Sequence, residues 1–266
     1  MLKADLHIHS TVSDGSNTIC EIIENAICKG LDVIAITDHD TLSHIAQIPK
    51  TNEIKVIAGI EISAIDKRNM SKSHILGYNI QSPELVENLT LPLLKKRHKN
   101  SLKQIEILNG NGYSIDLQQL NNADGKYIYK QHIMEYLVRT GQVAEMFGDF
   151  YKSTFKNGGL CDFDIEYIDV YDAVKTIKLA GGKAVLAHCG QQQNFALIPS
   201  LIELGLDGLE YNHSANSEND KKIIKEYANK YNLFLTGGSD YHGKYEVANV
   251  NIGDYLSDES GVYALC

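Results

Sequence analysis

The sequence predicts an α/β barrel, and two observations carry that prediction. Seven short apolar runs, rich in Val and Ile, alternate with segments of helical spacing, the pattern of β/α units with buried parallel strands. Most of the ten histidines fall on those same runs together with several carboxylates. Polar groups on buried strands are costly unless something partners them, and a shared metal cluster partners them all at once.

The runs cover residues 2–9, 31–39, 55–63, 73–80, 182–190, 206–213 and 232–242. Helices are expected over 18–29, 84–109, 131–157, 167–180, 197–204 and 217–230. Ser16 and Asn17 offer caps for the first, and Gly30 stands where its C-terminal cap belongs. The stretch 84–165 is different, with helical periodicity, few β-branched runs and a Gly- and Asn-rich turn at 109–112. It is expected to be a helical subdomain inserted into a barrel formed by 1–83 and 166–266, and to pack over that barrel.

The chain has 266 residues, enough for one large domain with an insertion. Its 43% hydrophobic and 22% charged content is that of a soluble globular protein, and no stretch approaches the ~20 apolar residues of a membrane span. The first residues do not read as a secretion signal. Cys20, Cys28, Cys161, Cys189 and Cys266 are an odd, scattered set without a C-x-x-C pair, which suits reduced thiols in a cytoplasmic protein. A net charge of -9 argues against a surface built to grip long nucleic acid, but leaves a small phosphorylated substrate open. Nothing in the sequence reports an oligomeric state.

His7 and His9, two residues apart on one strand, point their imidazoles to the same face, and Asp240 and His242 repeat the arrangement on the last run. His39, Glu61 and His188 lie at the ends of three more runs, His74 lies in the fourth, and Asp14 sits in the loop after the first. In a β/α barrel the C-terminal strand ends converge on one rim, where sites are assembled.

The motifs D-L-H-I-H-S-x-x-S-D-G-S, A-I-T-D-H-D-T, G-I-E-I-S, H-I-L-G-Y, A-H-C-G and G-G-S-D-Y-H-G occur in this order across nearly the whole chain. In this the sequence resembles the polymerase and histidinol phosphatase (PHP) superfamily, in particular its stand-alone phosphoesterases with a helical insertion. The resemblance implies a distorted seven-stranded, TIM-like (β/α)7 barrel and two or three divalent metal ions, zinc, manganese or iron. It implies a first ion held by His7, His9, Glu61 and Asp240, and a second that Glu61 bridges and His74 and His188 complete. A third falls to Asp14, His39 and His242, and Glu61, Asp240 and His188 are carried as the catalytic residues. Three dications would outweigh the carboxylates of Asp14, Glu61 and Asp240 by about three positive charges and draw a phosphate into the pocket of an acidic protein. Water shared by two such ions has a lowered pKa and can attack phosphorus in line.

Lys130, Gln131 and His132 stand where related phosphoesterases carry an Arg-Pro-His motif, which implies phosphate contacts for Lys130 and His132. Lys supplies a point charge where Arg would supply a fork. His213 follows the sixth strand, where the resemblance implies another substrate contact. Asp5 shares strand parity with His7 and His9, which suits either an acceptor that orients a histidine or a capping aspartate. One of Asp38 and Asp40 is expected to orient His39 and the other to be solvated. His44 and His98 read as exposed helix residues, and the run Lys95, Lys96, Arg97, Lys99 as a solvated face. The expected activity is hydrolysis of phosphate monoesters of small molecules, with nucleotides as the expected class. The alternatives are exonuclease-type cleavage of short oligonucleotides, a histidinol phosphate phosphatase and, last, a non-catalytic metal-binding module.

Overall fold

The structure, a computed structural model, describes residues 2–120, 127–245 and 249–266. Its strands are β1 (Ala4–Ile8), β2 (Val33–Ile36), β3 (Lys55–Asp66), β4 (Ser71–Tyr78), the two-residue β5 (Ile168–Asp169), β6 (Lys183–Leu186), β7 (Gly208–Asn212) and β8 (Phe234–Gly237). Seven of them follow one another in the order β1-β2-β3-β4-β6-β7-β8, and β5 pairs with β3 beside this path. A parallel bridge between Ile8 and Tyr241 joins the two ends, so the barrel is nearly closed. Each of the seven expected runs overlaps one of these strands.

The expectation of parallel strands throughout fails at β4, which runs antiparallel to both β3 and β6. The cause is local. Only the tight turn 67–70 separates β3 from β4, and a short hairpin can join antiparallel strands only. Opposed residues share a face, so the register that sets Ser63 against His74 turns His74 the same way as Glu61, two residues along β3.

The helices are α1 (Ile19–Cys28), α2 (Pro83–Gly110), α3 (Lys130–Arg139), α4 (Asp149–Phe155), α5 (Val170–Leu179), α6 (Cys189–Gln192), α7 (Ile198–Ile202), α8 (Glu218–Tyr231) and α9 (Glu259–Leu265). The cap of α1 is Thr18, whose side chain accepts from the Glu21 N–H while Glu21 answers to the Thr18 N–H. The single helix expected over 131–157 is two, α3 and α4. Gly141 takes a left-handed φ of 71° just past α3, a stop signal that the periodicity overrode. The helix α9 was not expected; its Val262 and Leu265 join a core with Leu6, Val33, Ile57, Leu76 and Val185.

Ile60, Ile62 and Ile75 pack on Val174 and Ile177 of α5 and Leu201 of α7, while Ile8, Ile34 and Ile36 pack on Ile19, Ile22 and Ile23 of α1. A separate cluster, with Ile105, Leu108, Ile133, Leu137, Phe155 and Cys161, lies wholly within the stretch 84–165, of which 121–126 fall outside the described residues. The helix α2 belongs to both regions: Val86 and Leu93 sit in the barrel core, Ile105 and Leu108 in the second one. Among the described residues no helix is long and apolar enough to cross a membrane.

Candidate active site

Glu61 is the centre of the rim. Its Oε1 lies 2.7 Å from His74 Nδ1 and 2.9 Å from His188 Nε2. Its Oε2 lies 3.3 Å from His7 Nε2, 3.2 Å from His9 Nε2 and 3.1 Å from His39 Nδ1. Asp240 Oδ1 stands 3.3 and 3.1 Å from the same nitrogens of His7 and His9. Asp14 faces His9, His39 and His242 at 3.9, 3.9 and 3.6 Å. The nine residues predicted as metal ligands thus come together on one face of the barrel.

Local backbone geometry makes this convergence possible. A Cβ on Gly238 would overlap His7, and one on Gly15 would overlap the His9 carbonyl, so both positions need glycine for close approach. His188 and Asp240 hold left-handed φ values of 23° and 51°, costly for residues with side chains and characteristic of sites where geometry is enforced from outside.

Burial pushes the Glu61 carboxyl up, but His39, His74 and His7 around it outweigh that and hold it well below the usual carboxylate range. Burial also brings His39 down to about 4 and lowers His188, so both offer the neutral lone pair that a cation needs. The donor set fits divalent metals on a second count. His7 Nε2, both His9 ring nitrogens, Asp14 Oδ1, His39 Nδ1, Glu61 Oε2 and Asp240 Oδ1 are buried without a hydrogen-bond partner among the described residues. Groups of His9, Asp14, His39 and His242, of His7, His9, Glu61 and Asp240, and of His39, Glu61 and His74 each bring ligand atoms within 4.8 Å of one another.

Glu210 was missed by sequence reasoning. Fully buried on β7, it pairs through Oε1 with His7 Nδ1 at 2.9 Å and through Oε2 accepts the His188 backbone N–H at 2.8 Å. It fixes the tautomer of one histidine and the strained backbone of another. The only sequence signal was an acid inside the apolar run LDGLEYNH. His7, Glu210 and His213 also approach closely enough to hold an ion, but His7 Nδ1 and Glu210 already satisfy one another. His213 accepts the Ala215 N–H on Nδ1, which leaves its proton on Nε2, 3.5 Å from Asp240 Oδ2.

Of its two readings Asp5 takes the one that caps backbone groups, accepting the N–H groups of Ser239 and Gly253 and so tying β1 to the loops beyond β8. Other expectations need correction. The hydrogen bonds of Asp38 and Asp40 do not orient His39. Asp38 takes the Ser10 N–H and the Ser10 and Ser13 hydroxyls, holding the loop of Asp14, and Asp40 takes the Ser63 N–H and Arg97. His44 is buried against Asp38 at 3.1 Å, not exposed. His98 is half-buried and accepts the Ile128 N–H. Arg97 leaves the solvated face predicted for its run: it reaches Asp40 at 2.7 Å and the Ser63 hydroxyl at 3.0 Å.

A cavity of about 460 Å³ opens over the cluster. Asp14, His39 and His74 line its floor, and Arg97, Tyr129, Lys130, Gln131 and Lys156 are on its wall. Gln131 donates to Asp14 Oδ2 at 2.8 Å. His132 is buried and is not among the lining residues; its Nδ1 accepts the Tyr129 N–H and fixes the start of α3.

A nearly closed barrel with histidines and carboxylates gathered at one rim defines a metal-dependent phosphoesterase, and residues 5–239 match the model of the PHP domain family, to which the chain belongs. A phosphoribosyl 1,2-cyclic phosphate 1,2-diphosphodiesterase of Eggerthella lenta is 41% identical over 249 residues, covering 91% of this chain and 94% of that protein. A 3',5'-nucleoside bisphosphate phosphatase of Chromobacterium violaceum is 28% identical (91% and 88% covered), and a 5'-3' exoribonuclease of Haemophilus influenzae 29% identical (90% of each). The solved structure of a protein described as a metal-dependent phosphoesterase, from Bifidobacterium adolescentis, superposes with a TM-score of 0.88 at 26% identity, covering 98% of this chain and 94% of the other.

Proposed function

We propose that this enzyme hydrolyses phosphate esters of a small phosphorylated ribosyl compound, with phosphoribosyl cyclic phosphate as the first candidate and nucleoside bisphosphates as the second. The observation that carries the reading is the cavity: about 460 Å³, floored by the cluster and walled by the helical segment, it suits a molecule of sugar phosphate or nucleotide size. The relative at 41% identity supports the ribosyl choice. Small phosphorylated metabolites and five free cysteines suit a cytoplasmic enzyme.

In this reading His7, His9, Glu61 and Asp240 hold one divalent ion, Glu61 with His74 and His188 a second, and Asp14, His39 and His242 a third. Manganese, zinc and iron all suit such mixed His and carboxylate ligands. When bound, the ions supply Lewis acidity toward the phosphoryl oxygens and lower the pKa of the attacking water. The chain's own groups do the rest. Glu210 holds His7 and the His188 backbone, while Glu61 and Asp240 keep the imidazoles facing inward. His213 presents an Nε2 proton next to Asp240, suited to the leaving oxygen. Lys130 faces the substrate from the start of α3, and the segment 84–165 acts as a cap that excludes water, with His132 setting the pitch of α3.

The test is turnover of phosphoribosyl 1,2-cyclic phosphate, adenosine 3',5'-bisphosphate and a short oligoribonucleotide by protein loaded separately with manganese, zinc and iron. The ribosyl compound is expected to give the highest kcat/KM. A clear preference for the oligonucleotide would replace this reading with the exonuclease one.

A further inference from the structure

Away from the cluster, the cavity wall is basic in a protein of net charge -9. Lys72 from β4, Arg97 from α2, Lys130 from α3 and Lys156 from the end of α4 all line it, and Asp164 is the only acidic lining residue among those described besides Asp14 on the floor. Asp164 is already engaged, by Lys72 at 2.9 Å and the Tyr167 hydroxyl at 2.8 Å. Arg97 is held by Asp40 and Ser63. No carboxylate pairs with Lys130 or Lys156 among the described residues.

This crowding has an energetic signature. Burial lowers the Lys130 ammonium, Asp164 pulls it back up, and Lys156, Lys72 and Arg97 each push it down. With Lys72 and Arg97 already paired, Lys130 and Lys156 are the two ammonium groups whose charge a bound dianion would balance. The floor has its own means of holding a phosphoryl group, so an anion at the wall is a different one.

We propose that Lys130 and Lys156, backed by Lys72 and Arg97, form a second-phosphate subsite that takes a phosphate of the substrate that is not being hydrolysed. The proposal rests on the phosphoesterase reading above and adds the feature that selects its substrates: two phosphates on one small molecule, one over the ligand cluster and one against the lysines. Each lysine gives a charge-assisted hydrogen bond, roughly twice as strong as a neutral one.

The experiment compares kcat/KM for phosphoribosyl 1,2-cyclic phosphate with that for ribose 1,2-cyclic phosphate, which lacks the remote phosphate, in wild type and in Lys156→Ala and Lys130→Ala/Lys156→Ala. Wild type should prefer the doubly phosphorylated compound. That preference ratio should fall about tenfold in the single variant and about a hundredfold in the double one, from the usual worth of a hydrogen bond to a charged group. Lys156 is exposed, so its replacement leaves the fold intact, and a thermal melt of each variant checks this. No wild-type preference, or a ratio unchanged in the variants, overturns the subsite. If wild type turns over neither ribosyl compound, the ribosyl reading has failed on its own, and the same ratio is read from adenosine 3',5'-bisphosphate against adenosine 3'-monophosphate. There a constant ratio overturns the subsite and a collapse supports it.

Discussion

On the barrel floor the functional side chains are short-stemmed and mostly buried, and several are braced by a further residue, whereas on the helical wall the charges ride on long stems half in solvent. His7 is gripped by Glu210, His242 donates from Nδ1 to the Asp240 carbonyl at 2.7 Å, and His188 is pinned by its backbone. Among the described residues Lys130 and Lys156 have no such grip. The contrast separates two tasks. Chemistry needs ligand atoms held to within a fraction of an ångström, while recognition of a phosphate tolerates the play of a lysine stem because an ammonium attracts from any direction.

If the floor carries the chemistry, its central residue should be the most sensitive position in the chain. Glu61→Gln keeps the volume but removes a charge facing five imidazoles, and turnover should fall by about 10³-fold or more with circular dichroism unchanged. Elemental analysis should find at least two transition-metal equivalents in wild type and fewer in the variant. Near-normal turnover would remove Glu61 from the site.

A bracing residue should matter less than what it braces. Glu210→Gln should lower metal affinity and activity together, by about 10- to 100-fold, with substrate KM little changed. A KM effect at full metal occupancy would mean that Glu210 acts on the substrate side instead.

On the wall, Lys130→Ala should lower kcat/KM by about tenfold while metal content stays at the wild-type level, the reverse of the Glu210 pattern. Loss of metal from that variant would erase the distinction between floor and wall.

The smallest effect belongs to His98, which touches neither. Because its Nδ1 accepts the Ile128 N–H, His98→Ala should cost about 1 kcal/mol of stability in a denaturant titration and leave kcat unchanged.

The floor was the more legible region because its residues obey strand periodicity: His7 with His9 and Asp240 with His242 announce a shared face at a spacing of two. Glu210 escaped because a single acid in an apolar run has no partner in sequence; its partners lie on β1 and at the end of β6, brought near only by closure of the barrel. The wall escaped for another reason. Arg97 in the run KKRHK looks like any solvated helix face, and what sets it apart is that α2 crosses the cavity there. The hairpin that reverses β4 and the glycine that splits α3 from α4 were signalled locally, by the turn 67–70 and by Gly141, but the longer-range periodicities spoke louder.

The helix α2 carries one more consequence, of a mechanical kind. It runs 28 residues, about 42 Å at 1.5 Å per residue, and packs at one end through Val86 and Leu93 in the barrel core and at the other through Ile105 and Leu108 in the second cluster. Arg97 sits between the two anchors, so its distance from the floor is set by the span and not by the fluctuations of a loop. The cavity wall at Arg97 is therefore part of one continuous helix shared by two cores, and not of a loop.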